Sequence, residues 1–302
     1  MYLKNRLFHV KQIVVGKNKT KIILSGQTGF LGSHLTSFYN DLNVEVVGLT
    51  RKDFLLGPAE LAAKLEGALA VIHLAGAPII GRWTASYKKE VYESRILTTR
   101  KLVSAMELLK QKPDVFLCAS AVGIYPDEGR HDENSAAVGD GFLGKVTADW
   151  EREAAQAGEI CRTVMLRFGV MLGKSGGALK KMSLPFKFGV GGRIGSGKQM
   201  MSWIHIEDVM SAIHFAITQP EINGPVNVSS PNPTSNREFT KTLARVMRRP
   251  AIFPVPAFML RLVFGQGAVV LTGGQTALPK KLQDSGFVFK FPNLEPALRD
   301  LL

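Results

Sequence analysis

Three glycines, Gly26, Gly29 and Gly32, carry the clearest chemical signal in the chain. The run Gly26-Gln-Thr28-Gly29-Phe30-Leu31-Gly32 follows the apolar stretch Lys21–Ser25 and opens a helical pattern bearing Leu35, Phe38 and Tyr39. A dinucleotide pyrophosphate must come close enough to a helix amino terminus to accept from free backbone amides, and a Cβ at these positions would obstruct it. The residues just after the next apolar run, Val44–Leu49, discriminate between the two nicotinamide cofactors. An acid about twenty positions past the loop would bind the ribose hydroxyls of NAD and repel a 2′-phosphate. Thr50-Arg51-Lys52 stands there instead, and the first acid is Asp53. Arg51 can pair bidentately with a phosphate and Lys52 adds a point charge beside it. NADP(H) is therefore the expected cofactor.

The elements that must hold these residues alternate. Short apolar runs at Lys21–Ser25, Val44–Leu49, Ala68–Leu74, Val115–Ala119 and Arg162–Arg167 read as buried parallel strands. Helical patterns separate them, including Trp83–Lys110 and Phe142–Ala157. This beat predicts an α/β fold with a doubly wound parallel sheet. From Gly169 to Gln199 the text turns glycine-rich and basic with weak periodicity, and reads as an excursion from the sheet layer. Glu207–Thr218 reads as a helix and Gly224–Val228 as a late strand. Ser235-Asn-Arg-Glu238 is a capping box that opens a helix to about Arg248, and the tail from Pro254 is helical.

Several runs together carry a family resemblance. The glycine loop, Leu74-Ala75-Gly76, Ser120-Ala-Val-Gly-Ile-Tyr125 and Trp203-Ile-His205-Ile-Glu-Asp208 resemble the extended short-chain dehydrogenase/reductases, the nucleotide-sugar epimerase and dehydratase superfamily. More narrowly, Trp83, Ser94-Arg95-Ile-Leu-Thr-Thr99, Pro185-Phe186, Gly189–His205 and Gly273–Pro279 followed by Gly286-Phe287 are similar to an atypical branch, the epimerase family proteins. That branch closes with a C-terminal domain of unknown function. The resemblance covers residues 21 to 302 and implies a Rossmann domain of 21–170 plus about 203–230, with 171–202 and 231–302 forming a smaller substrate subdomain. Residues 1–20 are expected to be a peripheral basic segment. The resemblance implies NADP(H) contacts from the loop, Arg51, Lys52, Leu74, Ala75, Gly76, Glu90, Arg95 and Met171. A helix-surface ion pair is the alternative for Glu90 and Arg95.

The superfamily's acid/base chemistry needs a Tyr and a Lys four positions apart, so that they share a helix face and the ammonium lowers the phenol pKa. No such pair exists here. Four places after Tyr2, Tyr39, Tyr87, Tyr92 and Tyr125 stand Arg6, Asn43, Val91, Ile96 and Gly129. The helix that should carry the pair holds Lys145 with no phenol near it. Ser120 and Tyr125 lie just past a strand's carboxyl end, where α/β sheets place ligands. With Lys145 they are the catalytic candidates, packing being the other reading of Tyr125. For a substrate the candidates are Lys187, Arg193, Lys198, Trp203 and His205, a backbone-bonded structural histidine being the alternative for the last. The function expected is an NADP(H)-dependent oxidoreductase or epimerase acting on a small anionic or carbonyl-bearing metabolite. A cofactor-binding sensor or scaffold without turnover is the alternative.

Composition bounds these readings. The 302 residues are 45% apolar and carry a net charge of +13, which excludes a disordered chain or a small disulfide scaffold. Two acid-free stretches, 1–21 and 160–206, account for the excess. The second lies where the superfamily places its substrate, which favours an anionic ligand. Its aromatics Phe168, Phe186, Phe188 and Trp203 are not interleaved for base stacking, so nucleic acid is not expected. No run reaches eighteen uninterrupted apolar residues; the best candidate, Ala257–Gly274, is broken by Arg261, and no membrane span is expected. Cys118 and Cys161 sit in apolar runs, which fits buried thiols in a reducing, cytoplasmic compartment and supplies no metal cluster. A homodimer is one of the oligomeric states the sequence leaves open.

Overall fold

The computed structural model describes residues 21–174 and 176–302; the segment 1–20 lies outside the described residues. Six parallel strands form the main sheet: β1 (Lys21–Ser25), β2 (Glu45–Leu49), β3 (Ala68–His73), β4 (Val115–Ala121), β5 (Arg162–Phe168) and, late in the chain, β9 (Gly224–Val228). Their spatial order is β2-β1-β3-β4-β5-β9. All six residues of β3 are buried, as expected for a strand covered on both faces. Helices α2 (Pro58–Leu65), α3 (Ala85–Glu107) and α4 (Gly141–Ala155) pack side by side on one face. On the other, α1 (Phe30–Asp41) meets α6 (Ile206–Thr218).

The strand order locates the binding crevice. From β1 the chain crosses through α1 to β2 on one side, and from β2 it returns through α2 to β3 on the other. Connections therefore diverge at the carboxyl ends of β1 and β3, and such a switch point is where open α/β sheets bind ligands. The glycine loop and Leu74-Ala75-Gly76 both lie there.

A second core assembles beyond β5. Strand β6 (Val170–Leu172) pairs with β8 (Trp203–His205), and β7 (Met200–Met201) pairs with β10 (Thr234–Ser235). Leu172, Leu179, Trp203, Phe239, Leu243 and Leu298 pack together there, joining β6 and β8 to α5 (Gly177–Lys187), α7 (Asn236–Met247) and α11 (Leu294–Leu301). Between them run α8 (Ala257–Phe264), which buries none of its residues, α9 (Val269–Thr272) and α10 (Lys280–Asp284). The stretch read as an excursion from the sheet layer contains a short strand and a helix. Its glycines have a packing reason: a Cβ at Gly173, Gly176 or Gly177 would come within 2.4, 2.6 and 2.9 Å of the Phe30 ring. The glycine-rich turn is a seat for Phe30. Of the expected capping box only one half forms, with the Glu238 amide donating to Ser235 Oγ at 3.2 Å.

Candidate functional site

The floor of the crevice is tied together by side chains that the sequence did not single out. Ser25 Oγ accepts from the Leu74 and Ala75 amides at 3.1 and 3.2 Å and meets His73 Nδ1 at 2.6 Å. His73 Nε2 lies 3.2 Å from Thr98 Oγ1, whose own proton goes to the Ser94 carbonyl at 2.7 Å. That leaves Nε2–H to donate to Thr98 and Nδ1 to accept from Ser25. The β1 and β3 ends are thereby locked in register beside Gly26, which has φ +74° and where a Cβ would come within 3.1 Å of the Leu74 and Ala75 backbone. Gly32 is tighter still. A Cβ there would stand 2.2 Å from the Gly26 carbonyl oxygen.

Burial, and secondarily the Arg95 charge, pulls His73 down to about 3. This is below the ordinary histidine value of about 6.5, so between those limits the unfolded chain takes up a proton that the folded chain refuses. The stabilisation is complete above about pH 6.5 and is lost as pH falls toward 3. Between pH 7 and pH 5 urea titrations should show a loss of about 2 kcal/mol from this group, absent in His73→Asn.

At the end of β2, Asp53 is turned inward. Its Oδ2 accepts from the Thr50 amide at 2.6 Å and the Thr50 hydroxyl at 2.7 Å, while Oδ1 pairs with Lys64 Nζ on α2 at 2.7 Å. The Lys64 ammonium and Thr50 hydroxyl hold the carboxyl at about 2. Arg51 and Lys52, on the same turn, are exposed. Phe30, Leu74, Ala75 and Met171 are partly buried and pack on the main core around the crevice, and Leu31 belongs to that core; Thr28, Gly29 and Gly76 are exposed.

Arg95 reaches back from α3. Its guanidinium donates to the Val91 and Ala77 carbonyls at 2.9 and 3.0 Å, lies 5.1 Å from the Trp150 ring centroid and presses against Gly76. Burial pulls it down to about 10. The alternative ion pair with Glu90 does not form; Glu90 is exposed and Arg95 is spent on carbonyls. Arg95 is thus set beside the Leu74-Ala75-Gly76 strand end, whereas Glu90 is turned to solvent.

The three catalytic candidates are not brought together. Ser120 is buried and donates to Glu151 Oε1 at 2.5 Å. Tyr125 is also buried: its hydroxyl accepts from Arg167 Nη1 at 2.7 Å and lies 2.9 Å from both the Asp132 carbonyl and Asn227 Oδ1. The Tyr125 ring stacks on His131 at 5.0 Å, and burial pushes its phenol up. Both hydroxyls belong to a network centred on the Arg167–Glu151 pair, and packing is the reading of Tyr125 that this geometry favours. Lys145 is elsewhere, exposed and paired with Asp149 at 2.9 Å. Here a phenol is close after all: Tyr92 donates to Asp149 at 3.0 Å, and its ring centroid is 6.0 Å from Lys145 Nζ. Tyr92 comes from α3, so no four-residue spacing could reveal it.

The substrate candidates divide. Lys187, Arg193 and Lys198 are exposed on the α5 end and the turn after it. Trp203 and His205 are buried in the second core. Trp203 Nε1 donates to the Asn232 carbonyl at 3.0 Å. His205 Nδ1 accepts from the Glu207 amide at 3.1 Å, capping α6, and Nε2 lies 3.3 Å from Asp300. The backbone bond is the contact a structural histidine makes. Cys118 is buried, but Cys161 is only partly so.

A model of the NAD dependent epimerase/dehydratase family matches residues 22–229. The chain belongs to this family. A second model, described as a domain of unknown function (DUF1731), matches residues 255–301 of the epimerase-family chain. It is 40% identical over 296 residues to the epimerase family protein YfhF of Bacillus subtilis, spanning 93% of this chain and 97% of the relative. It is 36% identical over 305 residues to the chloroplastic SDR39U1 homolog of Arabidopsis thaliana, spanning 95% and 88%. The crystal structure of human epimerase family protein SDR39U1 with NADPH superposes with a TM-score of 0.87 at 34% identity, covering 93% of this chain and 98% of that one. No helix among the described residues is long and apolar enough to cross a membrane.

Proposed function

We propose that this epimerase-family chain is an NADP(H)-dependent oxidoreductase or epimerase acting on a small anionic or carbonyl-bearing metabolite. The observation that carries the reading is the crevice at the β1/β3 switch point. Gly32 leaves no room for a Cβ, Gly26 is held at a positive φ with little room for one, and Arg51 and Lys52 stand exposed beside a withdrawn Asp53. A dinucleotide fits this cradle: the loop and the α1 amino terminus would hold its pyrophosphate, Arg51 and Lys52 a 2′-phosphate, and Leu74, Ala75 and Met171 its apolar faces. The human relative, crystallised with NADPH, supports the same cofactor. When bound, the nicotinamide supplies hydride chemistry, and the chain supplies binding and orientation. Lys187, Arg193 and Lys198 supply positive charge for an anionic substrate.

Fluorescence titration tests the cofactor assignment. NADPH is expected to bind more tightly than NADH, and Arg51→Ala to weaken NADPH by about tenfold or more, the weight of one charged hydrogen bond, with NADH unchanged. Equal affinity for the two cofactors in the unaltered protein would refute it. A second reading, a cofactor-responsive sensor, is favoured by the engagement of Ser120 and Tyr125 in the buried network and of Lys145 with Asp149. Tight NADPH binding without oxidation of any compound in a broad carbonyl and nucleotide-sugar panel would select it.

A further inference from the structure

We infer that Lys64, acting through Asp53, is a positioning residue for cofactor discrimination: it neutralises a carboxylate that would oppose a 2′-phosphate and that Thr50 holds under the turn presenting Arg51 and Lys52. The inference rests on the NADP(H) reading and deepens it. The turn after β2 carries two cations and one acid within three residues, and an acid in this region is the feature that selects NAD in dinucleotide folds. Its presence two positions after Arg51 would erode any preference for a phosphorylated ribose unless its charge and its direction were both controlled.

The structure controls both. Each oxygen of Asp53 is committed, Oδ2 to the amide and hydroxyl of Thr50 and Oδ1 to Lys64 Nζ. The carboxylate side chain is 11% exposed, whereas the lysine is 48% exposed, so the ammonium reaches in from solvent to neutralise a charge that is already enclosed. Lys64 is itself fixed. It lies in the last turn of α2, and its carbonyl accepts from Lys21 Nζ at 3.1 Å. The turn is held from a third side by Lys101, whose ammonium donates to the Phe54 carbonyl at 2.5 Å. Without Lys64, Asp53 keeps its Thr50 bonds but loses its counter-ion, and its charge acts on whatever anion Arg51 and Lys52 hold.

Binding of NADPH and NADH, read by fluorescence titration of the full chain, tests this. Lys64→Met is expected to weaken NADPH about fivefold to tenfold while leaving NADH within twofold. The double variant Lys64→Met/Asp53→Asn has no charge to neutralise and is expected to recover NADPH affinity to within twofold of the unaltered protein. If the double variant stays as weak as Lys64→Met, Lys64 meets the phosphate directly and the inference fails. It also fails if Lys64→Met weakens NADH and NADPH equally, which is the signature of a loosened fold. A protein with no NADPH preference to begin with would overturn the cofactor assignment instead, so the two failures are distinguishable.

Discussion

Gly32→Ala is expected to raise the Kd for NADPH by about 100-fold or more, a loss of about 2.8 kcal/mol at tenfold per 1.4 kcal/mol. Gly32 sits in the first turn of α1, where the helix must pass directly beneath the loop it emerges from. A methyl group there would lie 2.2 Å from the Gly26 carbonyl oxygen and 2.8 Å from both Cα and the carbonyl oxygen of Gln27. All three are backbone atoms, and none can rotate away. The loop must lift, and with it the amides that make a helix amino terminus an anion site. Because Gly26 is already at φ +74° and abuts Leu74 and Ala75, the displacement also spreads to the Ser25–His73 clamp. Gly158→Ala is the matched control. Nothing lies within 4 Å of its Cβ and its φ is not positive, so NADPH affinity should be unchanged. If Gly32→Ala bound NADPH as the unaltered chain does, the cofactor would not be using this loop.

How much of this was legible in the sequence depends on whether a residue's partners are near it in the chain. The strand, glycine loop and helix that open the fold are contiguous, and Gly29 and Gly32 meet only atoms of the loop itself, so residues 21–41 could be read directly, although the Leu74-Ala75 strand end that crowds Gly26 comes from far along the chain. The basic turn after β2 was legible in the same way, since Arg51 and Lys52 follow a strand end; its Asp53–Lys64 clamp was not, because Lys64 comes from the next helix. For Ser120 and Tyr125 position is the only guide in the sequence: both lie at the carboxyl end of β4, and the partners that engage their hydroxyls, Glu151, Arg167 and Asn227, arrive from α4, β5 and β9. Trp203 and His205 were drawn toward the substrate by the run they belong to, although the short β8 strand buries them. Tyr92 and Lys145 meet across two helices. An apolar strand ending in a histidine, Ala68–His73, was the one overlooked signal that the sequence contained, since a buried imidazole must find hydrogen-bond partners.

The buried network also sets the second large effect: Glu151→Ala is expected to destabilise the fold by about 3–5 kcal/mol, the usual result of removing one partner of a buried ion pair. Arg167 and Glu151 are 7% and 10% exposed at the side chain and joined by two parallel bonds, Nε to Oε1 at 2.8 Å and Nη2 to Oε2 at 2.7 Å. Burial by itself would lower the arginine, but the two bonds it donates to Glu151 and that carboxylate's charge more than reverse it; the guanidinium stays charged and, without the carboxylate, would be enclosed and uncompensated. Ser120 would lose its acceptor at the same time. Tyr125→Phe removes less, one hydroxyl that receives from Arg167 and bridges to Asp132 and Asn227, and should cost about 1–2 kcal/mol. Asn227 ties the same network to the C-terminal segment through the Leu278 carbonyl at 2.9 Å, so urea unfolding of Glu151→Ala should remain a single transition at a lower midpoint. NADPH affinity separates structure from chemistry here. Both variants are expected to bind the cofactor normally below their unfolding midpoints, because none of the network's bonds involves the glycine loop or the Arg51 turn. If a substrate is found and Tyr125→Phe turns it over at the unaltered rate, Tyr125 is a packing residue; a rate loss of about 100-fold or more, the weight of a general acid or base, would return the phenol to the chemistry.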